Sequence, residues 1–300
     1  MTIPSRVTET SMQTRVLGDL QRTMARGQKL TSQISSGKQL NRPSDSPTGT
    51  VTSLQLRGEV RATQQYSRNA DDGLGWLGTI QDKLQAASTS IIRVRDLTVQ
   101  ALNTASTPQS QEAIAVEIDN IRAALIGDAN TTYMGRPIFG GTTPGGAAYD
   151  ENGEYIGNEF PTTRTVGPNA TKVRIETTGP EAFGDGTAGR PVLFEVLADI
   201  STAIRTGDST GLNDALVDLD DAHNSLKSAL SDVGARYNRV TQMKQSADDH
   251  LLSVSSQLSD IEDVDLPKAI MELQIQQTAY QAALAASAKV IQPSLIDFLR

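Results

Sequence analysis

Between Leu212 and Ile261 the residues Leu212, Leu216, Leu219, His223, Leu226, Leu230, Val233, Tyr237, Val240, Lys244, Ala247, Leu251, Val254, Leu258 and Ile261 recur at alternating steps of four and three. Only His223 and Lys244 interrupt the apolar series. So long and narrow a stripe implies a helix of roughly 75 Å at 1.5 Å per residue, with a seam that partner helices must cover. The first half of the chain offers such a partner in Leu77, Ile80, Leu84, Ala87, Ile91, Val94, Thr98, Ala101 and Ala105, at the same steps. The expected fold class is mainly α: an elongated coiled-coil rod closed from both chain ends, with a small β-rich insertion.

Composition agrees. Aromatic residues make up 4% of the 300, and Trp76 is the single tryptophan, so helices buried by Leu, Ile, Val and Ala suit the chain better than a large globular core. Cysteine is absent, which removes disulfides, thiol catalysis and Cys-based metal sites. Residues 1–68 hold ten Lys/Arg against four Asp/Glu, and residues 245–300 hold three against eight. The basic side chains Arg6, Arg15, Arg22, Arg26 and Lys29 are spread along a helix with no aromatics between them. That pattern favours pairing of the two termini over a nucleic-acid partner. Met1 to Leu20 lacks the apolar core of a cleavable signal peptide, and no membrane span is expected.

Along the chain, Val16, Leu20, Thr23, Gly27, Leu30 and Ile34 form a weak first seam that stops at Gly37. Asn41 to Pro47 forms a rigid polar turn in which Ser46 can cap a helix opening at Pro47. That helix should run to about Thr104, and Thr107-Pro108 starts the next, with Ile114, Ile118, Ile121 and Leu125 on one face. From Gly135 to Arg190 helical periodicity vanishes, Gly and Thr become frequent, and Thr171–Glu176 alternates as a strand does. Turns are expected at Asn152-Gly153 and Gly184-Asp185-Gly186. Pro191 reopens a helix that Gly207 ends. At Ile261 the seam slips by one residue, Asp265 caps a new helix, and Leu266, Ile270, Leu273, Gln277, Tyr280, Leu284, Ser287 and Ile291 carry its seam among alanines.

Several motifs have a chemical reading to set against a plain one. Gly184 to Gly189 matches G-x-G-x-x-G, but a dinucleotide site needs a strand before it and a helix opening within it, and Pro180 and Pro191 flank this one, so a turn is expected. His223 and His250 lie too far apart on one helix to share a metal, and His223 reads as a polar core residue. Lys244 should snorkel out of the seam. The cluster Asp260, Glu262, Asp263, Asp265 lacks the glycine and distal Glu of a calcium loop and reads as a solvated break between helices. No nucleophile elbow, P-loop or zinc motif is present, so no enzyme, cofactor or metal is expected.

Both ends of the chain resemble the bacterial flagellins and their relatives. Ile34 to Pro47, including Ser36, Gly37, Asn41, Pro43, Asp45 and Pro47, is similar to the segment joining the first two helices of that family. Gly234-Ala235-Arg236-Tyr237-Asn238-Arg239 and the stretch from Ile261 to Arg300 resemble its C-terminal half. One departure is Asp45-Ser46, where a pair of aspartates is usual. Tyr133 to Thr142, with Arg136, Phe139, Gly140 and Gly141, looks more like the branch that joins hook to filament than like filament-forming flagellin.

The resemblance implies an extracellular structural subunit of the bacterial flagellum, exported without a cleavable signal peptide. Its implied partners are other copies of itself, the neighbouring hook-associated protein, flagellin and an export chaperone. Filament-forming flagellin is the alternative, and a cytosolic coiled-coil scaffold a more distant one. The expected organisation is a terminal assembly domain from 1–44 and 263–300, a helical rod from 45–135 and 191–262, and a β-rich insertion at 136–190. Val16, Leu20, Leu30, Ile34, Ile270, Leu273, Tyr280, Leu284 and Ile291 are the expected self-assembly seam.

Overall fold

The computed structural model describes residues 9–103, 107–158, 160, 162–168 and 171–291, apart from the side chains of 9–13, 103 and 289–291. Ala105, Arg6, the side chain of Ile291 and the last nine residues of the flagellin-like C-terminus lie outside the described parts. The helices are α1 (Glu9–Ser36), α2 (Pro47–Asn103), α3 (Pro108–Ala129), the short α4 (Gly179–Phe183), α5 (Leu193–Thr206), α6 (Ser209–Glu262) and α7 (Leu266–Ile291). The strands are β1 (Thr132–Tyr133), β2 (Arg136–Pro137), β3 (Thr163–Gly167) and β4 (Thr171–Arg174). The fold is mainly α with a small β-rich insertion, as the periodicity predicts.

The helix ends follow from local chemistry. Gly37 closes α1 in the left-handed region at φ +69°, where glycine has no Cβ to clash. Ser46 Oγ accepts the Gly49 amide at 3.1 Å, and Asp265 Oδ1 accepts the Lys268 amide at 3.1 Å, so α2 and α7 each open on a side-chain cap. Thr107 occupies the cap position of α3 ahead of Pro108, without a side-chain bond. Gly207 ends α5 at φ +70°.

The chain divides into two compact units, Met1–Arg61 with Leu252–Arg300, and Ala62–Leu251. In the second unit α2 and α6 run antiparallel: Ser67 bonds Asp248, Lys244 meets the Asp71 carboxylate, Ser88 meets His223, and Arg95 pairs with Asp220. Arg93–Glu117 and Lys83–Asp128 set α3 antiparallel to α2, and Arg205–Glu112 together with Arg122 Nε donating to the Phe194 carbonyl sets α5 antiparallel to α3. The result is an up-down-up-down bundle. Its core is the predicted seam: Leu77, Ile80, Leu84, Ala87, Ile91, Val94, Thr98 and Ala101 are buried against Leu212, Leu219, Leu226, Val233 and Val240.

The two polar seam positions are each satisfied. His223 lies 3.0 Å from Ser88 Oγ, and burial pulls its pKa below the usual 6.5. Lys244 keeps its stem on the seam and reaches outward to Asp71.

The insertion holds two antiparallel strand pairs, β1–β2 and β3–β4, the second with an irregularity between Thr165 and Gly167. Its core is aromatic. Phe139, Tyr149, Tyr155, Phe183 and Phe194 meet edge-on or tilted, with centroids 4.9–5.8 Å apart. The few aromatic residues of the chain are therefore concentrated here, a distribution that overall composition does not reveal. Gly184, Gly186 and Gly189 all take positive φ, and their loop follows α4 rather than a strand. It is a turn, as expected.

Candidate assembly surface

In the unit formed by both chain ends, α1 and α7 pack antiparallel, with Gln276 Nε2 donating to the Thr23 carbonyl at 3.0 Å near mid-length and Lys38 bridging to Asp263 where the helices meet. Pairing of the termini is thus present. The α1 seam positions Val16, Leu20, Thr23, Gly27, Leu30 and Ile34 are all half-buried. On α7 the covered stripe is Ala269, Leu273, Gln276, Tyr280, Ala283 and Ser287.

That stripe differs in part from the sequence seam. Leu273 and Tyr280 fall on it, whereas Ile270 is 46% exposed and Leu284 43% exposed. Among the described residues, α1 is the helix that packs along α7. Leu266, Met271 and Ile275 are exposed as well, as are Leu17 and Met24 on α1. An apolar surface of this kind, on a helix pair with so thin a core, is characteristic of a site that another protein covers.

Where the helix pair meets the following helices, the family-motif residues are tied together. Asp45 is half-buried: its Oδ1 lies 3.0 Å from Lys29 Nζ, and its Oδ2 accepts the amides of Asn41 and Arg42 at 3.2 and 2.9 Å. Lys29 and these amides hold its carboxyl below the ordinary value. Asn41 donates to Ser32 Oγ, and Ser36 Oγ accepts the Lys38 amide. Pro43 sits exposed in the turn, and Pro47 is the first residue of α2.

One expectation is corrected here. Glu262, read as part of a solvated acidic break, is 3% exposed. Arg57 clasps it with Nε 2.6 Å from Oε1 and Nη2 2.7 Å from Oε2, and Lys38 lies 3.5 Å from Oε2. Its neighbours Asp263 and Asp265 are exposed, as that reading requires. Nothing in the spacing marks Arg57 as its partner, because the two are 205 residues apart.

The other motif residues build the insertion. The Arg136 guanidinium lies over Trp76, 5.6 Å from the ring centroid, and donates to the Gly141 carbonyl at 3.2 Å. Tyr133 meets the same indole edge-on at 5.5 Å. Phe139 is fully buried, Gly140 packs on Pro137, and Gly141 takes φ +65° against Asn158. These residues shape the body of the insertion rather than its surface. Among the described residues there is no cluster of three His, Cys, Asp or Glu that could hold a metal, and no helix long and apolar enough to cross a membrane.

Comparison with known proteins finds two matching family models: the bacterial flagellin N-terminal helical region over residues 7–143 and the bacterial flagellin C-terminal helical region over 216–299. The chain is 27% identical to a flagellin of Bacillus subtilis over 278 residues, covering 88% of this chain and 89% of that one. It is 27% identical to flagellar hook-associated protein 3 of Escherichia coli over 286 residues, covering 88% and 90%. Among solved structures, a putative flagellar hook-associated protein from Vibrio parahaemolyticus superposes with TM-score 0.66 at 22% identity, covering 73% of this chain and all of that one. Bacillus cereus FlgL superposes with TM-score 0.59 at 23% identity, covering 68% and 99%.

Proposed function

The chain belongs to the flagellin family, and from that membership we propose that it is a structural subunit of the bacterial flagellum, lying outside the cell between hook and filament and nucleating flagellin assembly. The observation that carries an assembly role is the α1–α7 pair, whose surface leaves the apolar side chains Ile270, Ile275 and Leu284 exposed. A surface of that kind serves copies of the chain and neighbouring flagellar subunits, and it offers no constellation for catalysis.

The segment Tyr133–Thr142, locked by Arg136 over Trp76, supports the junction role over filament formation, as do the hook-associated relatives. The chain would reach its place by export in an unfolded state, with a chaperone covering the apolar termini before secretion. Deleting the protein in its source bacterium should leave hooks intact and release flagellin into the medium. Normal filaments on the deletion strain would refute the proposal.

The similarity to Bacillus subtilis flagellin favours a second reading, a filament-forming subunit. Purified protein that grows into long filaments without any other component would establish that reading instead.

A further inference from the structure

The helix breaks of the unit built from both chain ends fall at one place. α1 stops at Ser36 and α6 stops at Glu262, and the two connections then run side by side. Lys38 bridges to Asp263, the Gln39 amide donates to the Glu262 carbonyl at 2.6 Å, and the Val264 amide donates to the Gly37 carbonyl at 3.1 Å. Besides these two backbone hydrogen bonds, Lys29–Asp45 and Asn41–Ser32 tie α1 to the turn that precedes α2.

Glu262 sits at the centre of that link. It is the last residue of α6, and its buried carboxylate is gripped by a guanidinium from α2 and approached by an ammonium from the α1–α2 connection. Lys38 also reaches Asp263 Oδ1 at 2.6 Å, and Ser259 Oγ donates to Asp263 Oδ2. Arg57 Nη2 donates to Oε2 while Nε lies close to Oε1, so the guanidinium meets both carboxylate oxygens. Stranding one partner of a buried ion pair is costly, and in some proteins such pairs are retained because they fix register.

We propose that Glu262 is a positioning residue. Its charge sets the direction in which α1 and α7 leave α2 and α6, and losing that charge converts the joint into a swivel while leaving each helix formed. The inference rests on the joint alone and does not depend on which partner covers the helix pair.

The absence of cysteine makes the test direct. Spin labels at Gln28→Cys on α1 and Thr52→Cys on α2, both exposed, report the angle at the joint through their separation in the full-length chain. The parent should give one narrow distance distribution. Glu262→Gln, which keeps the shape and removes the charge, should lose that single peak and broaden, with helix content by circular dichroism unchanged. Arg57→Lys, which keeps the charge but not the fork, should fall between them.

Arg57→Gln removes the clamp from its half-exposed side and should broaden the distribution as Glu262→Gln does. It decides the question if Glu262→Gln folds poorly. An unchanged narrow peak in a folded Glu262→Gln or Arg57→Gln variant overturns the proposal. So does loss of helix content in both, which would make the ion pair a folding element rather than a positioning one.

Discussion

His223 Nε2 lies 3.0 Å from Ser88 Oγ across the α2–α6 interface, a polar pair closed inside an otherwise aliphatic seam. Burial disfavours the imidazolium, Lys227 and Arg95 disfavour it further, and Asp220 opposes them, leaving the pKa below its ordinary value of 6.5. The unfolded chain therefore takes up this proton more readily than the folded one. Stability from this site is complete above about pH 6.5 and declines as the pH falls through the folded-state value.

Ser88→Ala alone should cost about 1–3 kcal/mol, because it strands a buried imidazole nitrogen. His223→Leu combined with Ser88→Ala should recover most of that loss and remove this site's contribution to the slope of stability below pH 6.5. Urea melts of the parent, Ser88→Ala, His223→Leu and the double variant at pH 5 and pH 7.5 measure both effects. Additive losses in the double variant would show that the pair is not coupled.

Leu84 is fully buried in the bundle seam. Leu84→Ala removes its contacts and leaves a cavity, for an expected loss of about 2–5 kcal/mol. Denaturant melts monitored by far-ultraviolet circular dichroism check the value, and a loss below 1 kcal/mol would place Leu84 outside the core.

Gly141 combines φ +65° with a Cβ direction that runs into the backbone of Asn158. Gly141→Ala should therefore disturb the insertion and leave the bundle formed. Faster amide exchange confined to about residues 139–158 is the expected result. Protection unchanged there would mean that the turn has room for a side chain.

On α7 two leucines of different exposure should behave differently. Leu273→Asp lies on the stripe covered by α1 and should loosen that pairing. Leu284→Asp alters a side chain that is 43% exposed and should change stability by no more than about 0.5 kcal/mol. Both should fail to enter the flagellum. Burying a leucine side chain at a subunit contact contributes roughly 1.5–3 kcal/mol, so incorporation of Leu284→Asp into purified hook–basal bodies should fall by about tenfold or more. Incorporation at the parental level would remove Leu284 from any subunit contact.

Much of the fold was legible in the sequence because heptad spacing is a direct record of which face a helix buries. Leu77 to Ala101 and Leu212 to Val240 became the bundle core, and Gly37, Ser46, Asp265 and Gly207 ended or opened helices as their chemistry dictates. Less could be read where a tertiary partner decides. Glu262 resembled any acidic residue near a helix end until Arg57 was placed beside it. Ile270 and Leu284 looked like seam residues, because spacing alone does not say how many helices cover a given one. The aromatic core of the insertion escaped notice because its members, from Phe139 to Phe194, follow no period.

The antiparallel register of α2 and α6 also bears on the order of folding. Ser88 and His223 are separated by 135 residues of chain, and Ser67 and Asp248 by 181. Closing a loop of that size directly would forfeit chain entropy, so the α2–α3 and α3–α5 pairings have to bring the two helices together first. The α2–α6 seam of this bundle cannot zip until the chain has emerged well past α5. A polypeptide threaded outward through a narrow passage would gain from that delay, since the same register that makes the finished bundle rigid keeps the partly delivered chain pliable.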